Sequence, residues 1–595
     1  MGGRKGGYPK KPGNHGSQGR AIGAKGGPEQ GAALRDRGGR VPLALLWPGS
    51  YATGMSSLGY LSIYSLIARR QAFSVERFFW REEGAPLSHE TGRPLEDFPV
   101  ICASLSFECD YWLFWESLRR IGITEPGSPR RDSYLIAVGG IGPWSNPYPV
   151  MPIADVILTG EGELGFNDFL DMLSQRWFLE NPKREVLSQI AENVRGALVP
   201  SALPVELRNG RGREFADALA KATPVVPPRL PYPFPEDYSP PSSPIYAPGA
   251  EFSGTKLVEI SRGCPYGCRF CLAGSVYRPH RPWEARKVLE AIGSPNPWDG
   301  RPVFPKGSPV GLVSPAVADH PHFSYILDSL VGEGRKVSFS SLRLSALTEE
   351  ICSLFAKGKV KGIALAPETG SECLREAINK NVSDALVMEK LRMLADAGLS
   401  RLKLYFMIGL PGEKDSDLLA IRELTKRMLA ALRGRKRSPQ LTLSVANFAP
   451  KPHTAFEDAP FPEEVELLRK GEYLKKLIGP LGGVDLKLEQ PAATIVQALL
   501  SRGGPESFIL VDSMRAVRGK PKALLRFVGY RDAAKERFDQ LHLRPWRIIA
   551  PTTGIGYLER EKGLAEEGLP SAPCPVGLSC GNCGACDSLI GRDIP

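Results

Sequence analysis

SRGCPYGCRFC, residues 261–271, sets Cys264, Cys268 and Cys271 in a C-x3-C-x2-C spacing at the end of the apolar run KLVEISRG (256–263). A structural zinc ion takes four nitrogen or sulfur ligands, most often from paired C-x2-C units. Here three thiols stand together, and the next donor, His280, lies nine residues past Cys271. Four irons held by three thiolates keep one iron open for a further ligand. The run before the loop reads as a strand. The thiols therefore stand at a strand's carboxyl end, where β/α barrels keep their chemistry.

Working outward, the strand-like runs 256–263, 310–315, 336–344, 362–370, 401–413 and 440–450 alternate with helical stretches. These six β/α units are two short of a closed barrel. The expectation is a partial (β/α)6 barrel over 253–458. Upstream, apolar runs at 41–49, 98–106, 133–142 and 154–163 also alternate with helices. That pattern predicts an α/β domain over 41–220 with a doubly wound parallel sheet. Its strand ends carry Pro48-Gly49, Gly139-Gly140 and Gly160-Glu161-Gly162. Ligands of such sheets bind beyond the carboxyl ends of the strands. Ten prolines in 223–248 exclude a helix or central strand there. Residues 221–252 are expected to be an extended linker laid over the surface. Residues 459–595 form a C-terminal extension with amphipathic helices at 465–479 and 493–503 and a cysteine-rich end.

The chain has 595 residues, a formal charge of +11 and eleven cysteines. No run of about twenty apolar residues is present, so no membrane span is expected. The N-terminus lacks the apolar stretch of a secretory signal, so the expected compartment is the cytoplasm. In that reducing setting, cysteines point to metal or redox chemistry before a disulfide framework. Residues 1–40 hold nine Lys/Arg against Glu29 and Asp36 and are rich in glycine. This basic tail is read as disordered and solubilising, with a nucleic-acid-binding arm as the alternative.

With these residues in place, the chain resembles the radical S-adenosylmethionine (SAM) superfamily, in the branch with an N-terminal cobalamin-binding-type domain. The resemblance implies a 4Fe–4S cluster on Cys264, Cys268 and Cys271 and SAM on its open iron. It also implies reductive cleavage of SAM to a 5′-deoxyadenosyl radical, with a flavodoxin, ferredoxin or reductase as electron donor. The cofactors then carry the chemistry, and the protein orients them. Phe270 occupies the position of an aromatic that shields the cluster, or else packs the loop. Glu368, in APETGS (366–371), is a candidate for the SAM ribose or amine, or a helix cap. Arg375, Asn379 and Lys380 are candidates for the SAM carboxylate. MIGLPGE (407–413) and FAPKPHTAF (448–456) resemble the ends of the fifth and sixth strands. Many members carry a glycine pair and a glutamate after the second strand. This chain reads LVSPAVAD (312–319) there, leaving Ser314 or Asp319 to substitute.

In the same branch, YATGMSSLG (51–59), SLSFECDYW (104–112), GGIGPWSNPYP (139–149) and ILTGEGE (157–163) resemble corrin-side loops. That makes Gly139, Gly140, Gly160 and Gly162 candidate cofactor contacts. The chain lacks a D-x-H-x-x-G motif, and His89 is the sole histidine between 41 and 250. Any corrin is therefore expected to bind without a histidine on cobalt.

CPVGLSCGNCGACD (574–587) adds Cys574, Cys580, Cys583 and Cys586. Their C-x2-C-x2-C run is ferredoxin-like and suits a second 4Fe–4S cluster, with a four-thiolate zinc site as rival. Cys102, Cys109, Cys352 and Cys373 read as packed thiols. The function expected is methylation or rearrangement at an unactivated carbon of a small-molecule or macromolecular substrate. Methylthiotransferase-like modification of RNA or protein is the alternative within enzymes. A non-catalytic iron–sulfur sensor is the alternative outside them.

Overall fold

VPLALLW at Val41–Trp47 has no charged residue and alternates its side chains into two different cores, which is what a central parallel strand requires. The computed structural model describes residues 28–36, 38–175, 177–433, 438–526, 543–574 and 580–586. Its first sheet holds β1 (Val41–Trp47), β2 (Phe73–Phe79), β3 (Val100–Ser104), β4 (Leu135–Gly139), β5 (Val156–Leu158) and β6 (Ala197–Leu198). The order is β2-β1-β3-β4-β5-β6, parallel except for β6. Leu43 and Leu45 face Tyr60 and Tyr64 on one side, while Ala44 and Leu46 face Phe98 and Trp115 on the other. The strand order reverses between β1 and β3, opening the crevice in which doubly wound sheets bind ligands.

β2 and β6 were not expected from the sequence. FSVERFF looks too charged for a buried strand, yet Arg77 is wholly buried between Glu29 and Glu90, and Thr91 donates to Glu76. Glu29 belongs to the stretch read as a disordered tail. Within it, Gln30 bridges Tyr246 and Ala33 is buried against the Tyr64 hydroxyl. The order therefore begins at least by residue 28, and residues 1–27 and 37 lie outside the described residues.

The second half opens with β7 (Lys256–Glu259) and β8 (Ser261–Arg262), the latter paired antiparallel with β9 (Arg281–Pro282). Then come β10 (Val310–Val313), β11 (Val337–Phe339), β12 (Gly362–Glu368), β13 (Arg401–Ile408), β14 (Gln440–Asn447) and β15 (Val484–Leu488). Two parallel sheets, β11-β10-β7 and β12-β13-β14-β15, are joined through a Leu342–Leu365 bridge. The six expected strands are present, and β15 extends the partial barrel by one parallel strand beyond the expected end at 458.

The proline-rich segment departs from its expected place on the surface. It runs between the two sheets' ends: Glu161 N donates to Pro228 O at 2.8 Å, and Ser243 N to Leu257 O at 2.9 Å. Leu230 is fully buried, and Phe234 stacks on Trp283 with ring centroids 3.7 Å apart. Proline density made the segment extended, but its few apolar side chains gave it a buried path. Among the described residues, no helix is long and apolar enough to cross a membrane.

Candidate active site

The cysteine loop leaves β8 through Gly263, whose φ is +78°. A Cβ there would overlap the carbonyl oxygens of Pro279 and Tyr277, so only glycine makes this turn. The loop ends where Cys271 caps the helix Leu272–Val276, its Sγ accepting from Gly274 N at 3.3 Å. Burial pushes the Cys264 thiol up to about 12, and the neighbouring Cys268 and Cys271 push in the same direction. Like charges that repel in this way are what a cationic iron centre would relieve. Among the described residues, no three His, Cys, Asp or Glu side chains form a ready metal cage. The donor set itself fits a three-thiolate cluster: three half-buried sulfurs within eight residues of one loop.

Around the loop stand polar groups from neighbouring strand ends. Arg343 lies 3.9 Å from the Cys268 sulfur and 3.4 Å above the Tyr266 ring. Tyr266 donates to Asp319 Oδ1 at 2.7 Å, while Asp319 Oδ2 is buried without a partner. Burial raises the Asp319 carboxyl, partly offset by the Tyr266 hydrogen bond. An unfilled buried oxygen beside Cys264 fits an ammonium group, the place left to Ser314 or Asp319 by the LVSPAVAD departure. Ser314 is instead engaged with Ser261 Oγ at 2.6 Å.

Glu368 ends β12 after a register shift and holds a positive φ of +71°. A non-glycine residue held there costs free energy that the surrounding contacts must offset. Its carboxylate pairs with Lys380 Nζ at 2.9 Å. Burial alone would lower Lys380, but the Glu368 and Cys268 charges outweigh it and hold the ammonium charged. Lys380, Glu368 and the Cys268 sulfur thus share one charged pocket. Phe270 packs beside Leu374, Ile378 and Phe448.

Arg375 corrects the sequence expectation. It is fully buried, donating to the carbonyls of Thr369, Gly370 and Val382 and pairing with Asp384. It braces the turn after β12 and is not aimed at a ligand. Asn379 likewise ties Gly267 O, at 3.1 Å, to Ser571 Oγ, at 2.6 Å. His280 is held neutral by burial, which lowers it to about 4, and it does not join the thiols among the described contacts.

Facing this loop, a cavity of about 360 Å³ opens at the carboxyl ends of the first sheet. Leu45, Ser104, Gly139, Gly140, Thr159 and Gly160 line it from that sheet, while Arg262, Gly263 and Ser314 line it from the barrel. Its size falls in the range of cofactor and small-molecule sites. The glycines here have a different cause from the one expected. A Cβ on Gly140 would overlap the Leu105 carbonyl, and one on Gly160 the Pro228 carbonyl, so both are fixed by chain packing. Gly162 packs on Ile63, and Gly139 makes ordinary contact with Leu158. Among the described residues, no histidine lines the cavity. His89 is turned away, stacked on Tyr51 and 3.6 Å from Glu29.

Sequence reasoning passed over the charged bolt across this junction. Glu161 accepts from Leu230 N and pairs with both Arg262 and Arg281, all deeply buried. Burial would raise the Glu161 carboxyl, but the two guanidiniums win and depress it to about 2. Arg262 also reaches Glu163 and Glu259 at 2.8 Å each. The only signal was the carboxylate inside the Gly160–Gly162 turn.

A strand-end loop of three thiols on a partial β/α barrel, faced by a doubly wound domain, defines a class of iron–sulfur enzyme. The chain belongs to the radical SAM superfamily. Residues 258–425 match the family described as the radical SAM superfamily, and residues 59–200 match the radical SAM proteins, N-terminal family. The protein is accordingly a radical SAM enzyme, and its chemistry calls for an electron donor. An uncharacterised protein of Methanocaldococcus jannaschii is 26% identical over 464 residues, which are 78% of this chain and 88% of that protein. Among solved structures, the methyltransferase TsrM of Kitasatospora setae with cobalamin and a [4Fe–4S] cluster bound is 12% identical with a TM-score of 0.44, covering 84% of this chain and 100% of that one. The cobalamin-dependent SAM radical enzyme OxsB with aqua-cobalamin bound is 14% identical with a TM-score of 0.44, covering 89% of this chain and 72% of that one.

Proposed function

We propose that this enzyme transfers a methyl group to, or rearranges, an unactivated carbon, with cobalamin in the 360 Å³ cavity and SAM at the cysteine loop. The observation that carries the reading is that one cavity is walled by both domains, at the ligand-binding end of each. A bound cluster with SAM supplies a 5′-deoxyadenosyl radical, and a bound corrin supplies a methyl carrier. Cys264, Cys268 and Cys271 would hold the cluster, and the unpartnered Asp319 oxygen would receive the SAM amine. Glu368, paired with Lys380, would meet the ribose or amine. Leu58, Ile63 and Leu158 give the cavity an apolar wall that excludes water from the junction. A flavodoxin or ferredoxin is the donor class that fits the cytoplasmic reading.

The methylthiotransferase alternative needs three cluster thiols in the N-terminal domain. Cys102 is buried within β3 and pushed up to about 12 by that burial, and Cys109 donates to the Ala493 carbonyl. These two thiols behave as packing groups.

The test is anaerobic purification of the full chain, reconstitution with iron, sulfide and hydroxocobalamin, then addition of methyl-labelled SAM and dithionite. One corrin per chain is expected, with 5′-deoxyadenosine and S-adenosylhomocysteine as products. Ser104→Trp, which fills the cavity, is expected to lose corrin and keep iron. A chain that retains no corrin and forms only 5′-deoxyadenosine overturns the corrin reading.

A further inference from the structure

We propose that Cys574, Cys580, Cys583 and Cys586 hold a second iron–sulfur cluster, seated directly against the barrel's own cysteine loop. Three features of the cysteine-rich segment support the assignment. Cys574 stands six residues before the C-x2-C-x2-C run and, like Cys580, is half-buried. Cys583 and Cys586 are buried, 5% and 2% exposed, although the segment around them has almost no apolar side chains to bury. The backbone of the segment is clamped in a bent shape by outside donors: Gly554 N to Cys583 O at 2.8 Å, Arg560 to Asn582 O at 3.0 Å, and Arg229 to Ala585 O at 3.1 Å. A glycine-rich loop with little secondary structure gains little from packing alone. Its backbone is nonetheless clamped from outside, and its four thiols are the donors that binding a metal centre would draw together.

The charge environment fits a thiolate-rich anion. Arg278 reaches the Cys583 thiol and is held by the Tyr557 hydroxyl at 2.7 Å, and Arg560 lies over the same ring. Four thiolates on one ion would carry two net negative charges, and a 4Fe–4S centre carries a comparable charge, so adjacent guanidiniums suit either. The C-x2-C-x2-C crowding favours the larger cuboid cluster over a single zinc ion.

The position is what gives the site meaning. Cys574 N donates to Pro265 O at 2.6 Å, one residue from Cys264. Asn379 joins Gly267 of the barrel loop to Ser571, and its Oδ1 accepts from Ser571 N at 3.0 Å. Arg269, between the barrel thiols, pairs with Glu561 at 3.1 Å and donates to Leu569 O at 2.8 Å. The two sets of thiols are thus neighbours, with no intervening domain. Every iron of the second cluster would be held by thiolate, so it would not take SAM. The assignment does not rest on the corrin reading.

The experiment uses the full chain, reconstituted anaerobically, with iron and zinc measured per chain and electron paramagnetic resonance of the reduced protein. The wild type should hold about eight irons, two clusters of four. Replacing Cys264, Cys268 and Cys271 by Ala together should leave about four, with a spectrum that SAM does not change. Cys580→Ala with Cys583→Ala should also leave about four, with a spectrum that SAM does shift. If the tail variant fails to fold, the barrel variant still decides, because it keeps all four tail cysteines. A barrel variant without iron overturns the proposal. So does one zinc per chain in the wild type that the tail variant loses while its iron stays unchanged.

Discussion

Glu161→Gln is the sharpest perturbation of the junction. The carboxylate is 2% exposed in its side chain and neutralises Arg281, which is wholly buried. Arg262 keeps Glu163 and Glu259 after the change, so the loss falls on Arg281, left with the Leu230 carbonyl at 2.9 Å. Breaking a buried pair by removing one partner costs about 3–5 kcal/mol. The depression of the Glu161 carboxyl from 4.5 to about 2 corresponds to about 3 kcal/mol, in agreement. A chain of this length need not unfold in one step, so the increment is best read locally. Hydrogen exchange at the Leu230 amide should quicken by roughly two orders of magnitude in the variant. The pH dependence follows from the sign. A depressed carboxyl stabilises fully above its unfolded value and loses that contribution as pH falls from 4.5 toward about 2. The difference between wild type and variant should therefore shrink through that window. Exchange within threefold of wild type at neutral pH would refute the account of a desolvated bolt.

Gly263→Ala should abolish loading of the first cluster, because the loop's turn has a positive φ and no room for a methyl group; iron content should fall by half while the N-terminal sheet keeps its circular dichroism. Glu368→Gln and Arg375→Lys separate a ligand contact from a brace. The first should weaken SAM binding by about tenfold, the worth of one charge-assisted hydrogen bond, and should also lower stability, because it breaks the buried pair with Lys380. The second should lower stability by about 1–3 kcal/mol, because Lys keeps the charge but leaves buried carbonyls without a donor, with SAM affinity unchanged, read by calorimetric titration of the reconstituted enzyme.

The barrel was legible because its strands are apolar, its helices amphipathic and its cysteine loop falls at a strand end. What escaped were strands whose burial depends on partners far away in sequence. β2 carries Glu76 and Arg77 inward only because Glu29, Glu90 and Thr91 meet them. VDLKL at β15 is half-exposed and alternating, and takes its register from β14. Arg375 misled for the same reason: a guanidinium near a binding loop looks like a ligand group until a turn brings three carbonyls to it. The glycines at 140 and 160 read as room for a ligand, and turned out to be room for Leu105 and Pro228.

The bond from Cys574 N to Pro265 O closes the chain across about 300 residues, and that separation fixes an order of assembly. At about 5–20 residues per second, the ribosome needs about 15–60 s to travel from one cysteine set to the other. During that interval β10 to β15 are made around the loop, and the contact from Cys574 can form only after them. The contact predicts that the protein, once stripped of iron, refills more slowly than one truncated before residue 569.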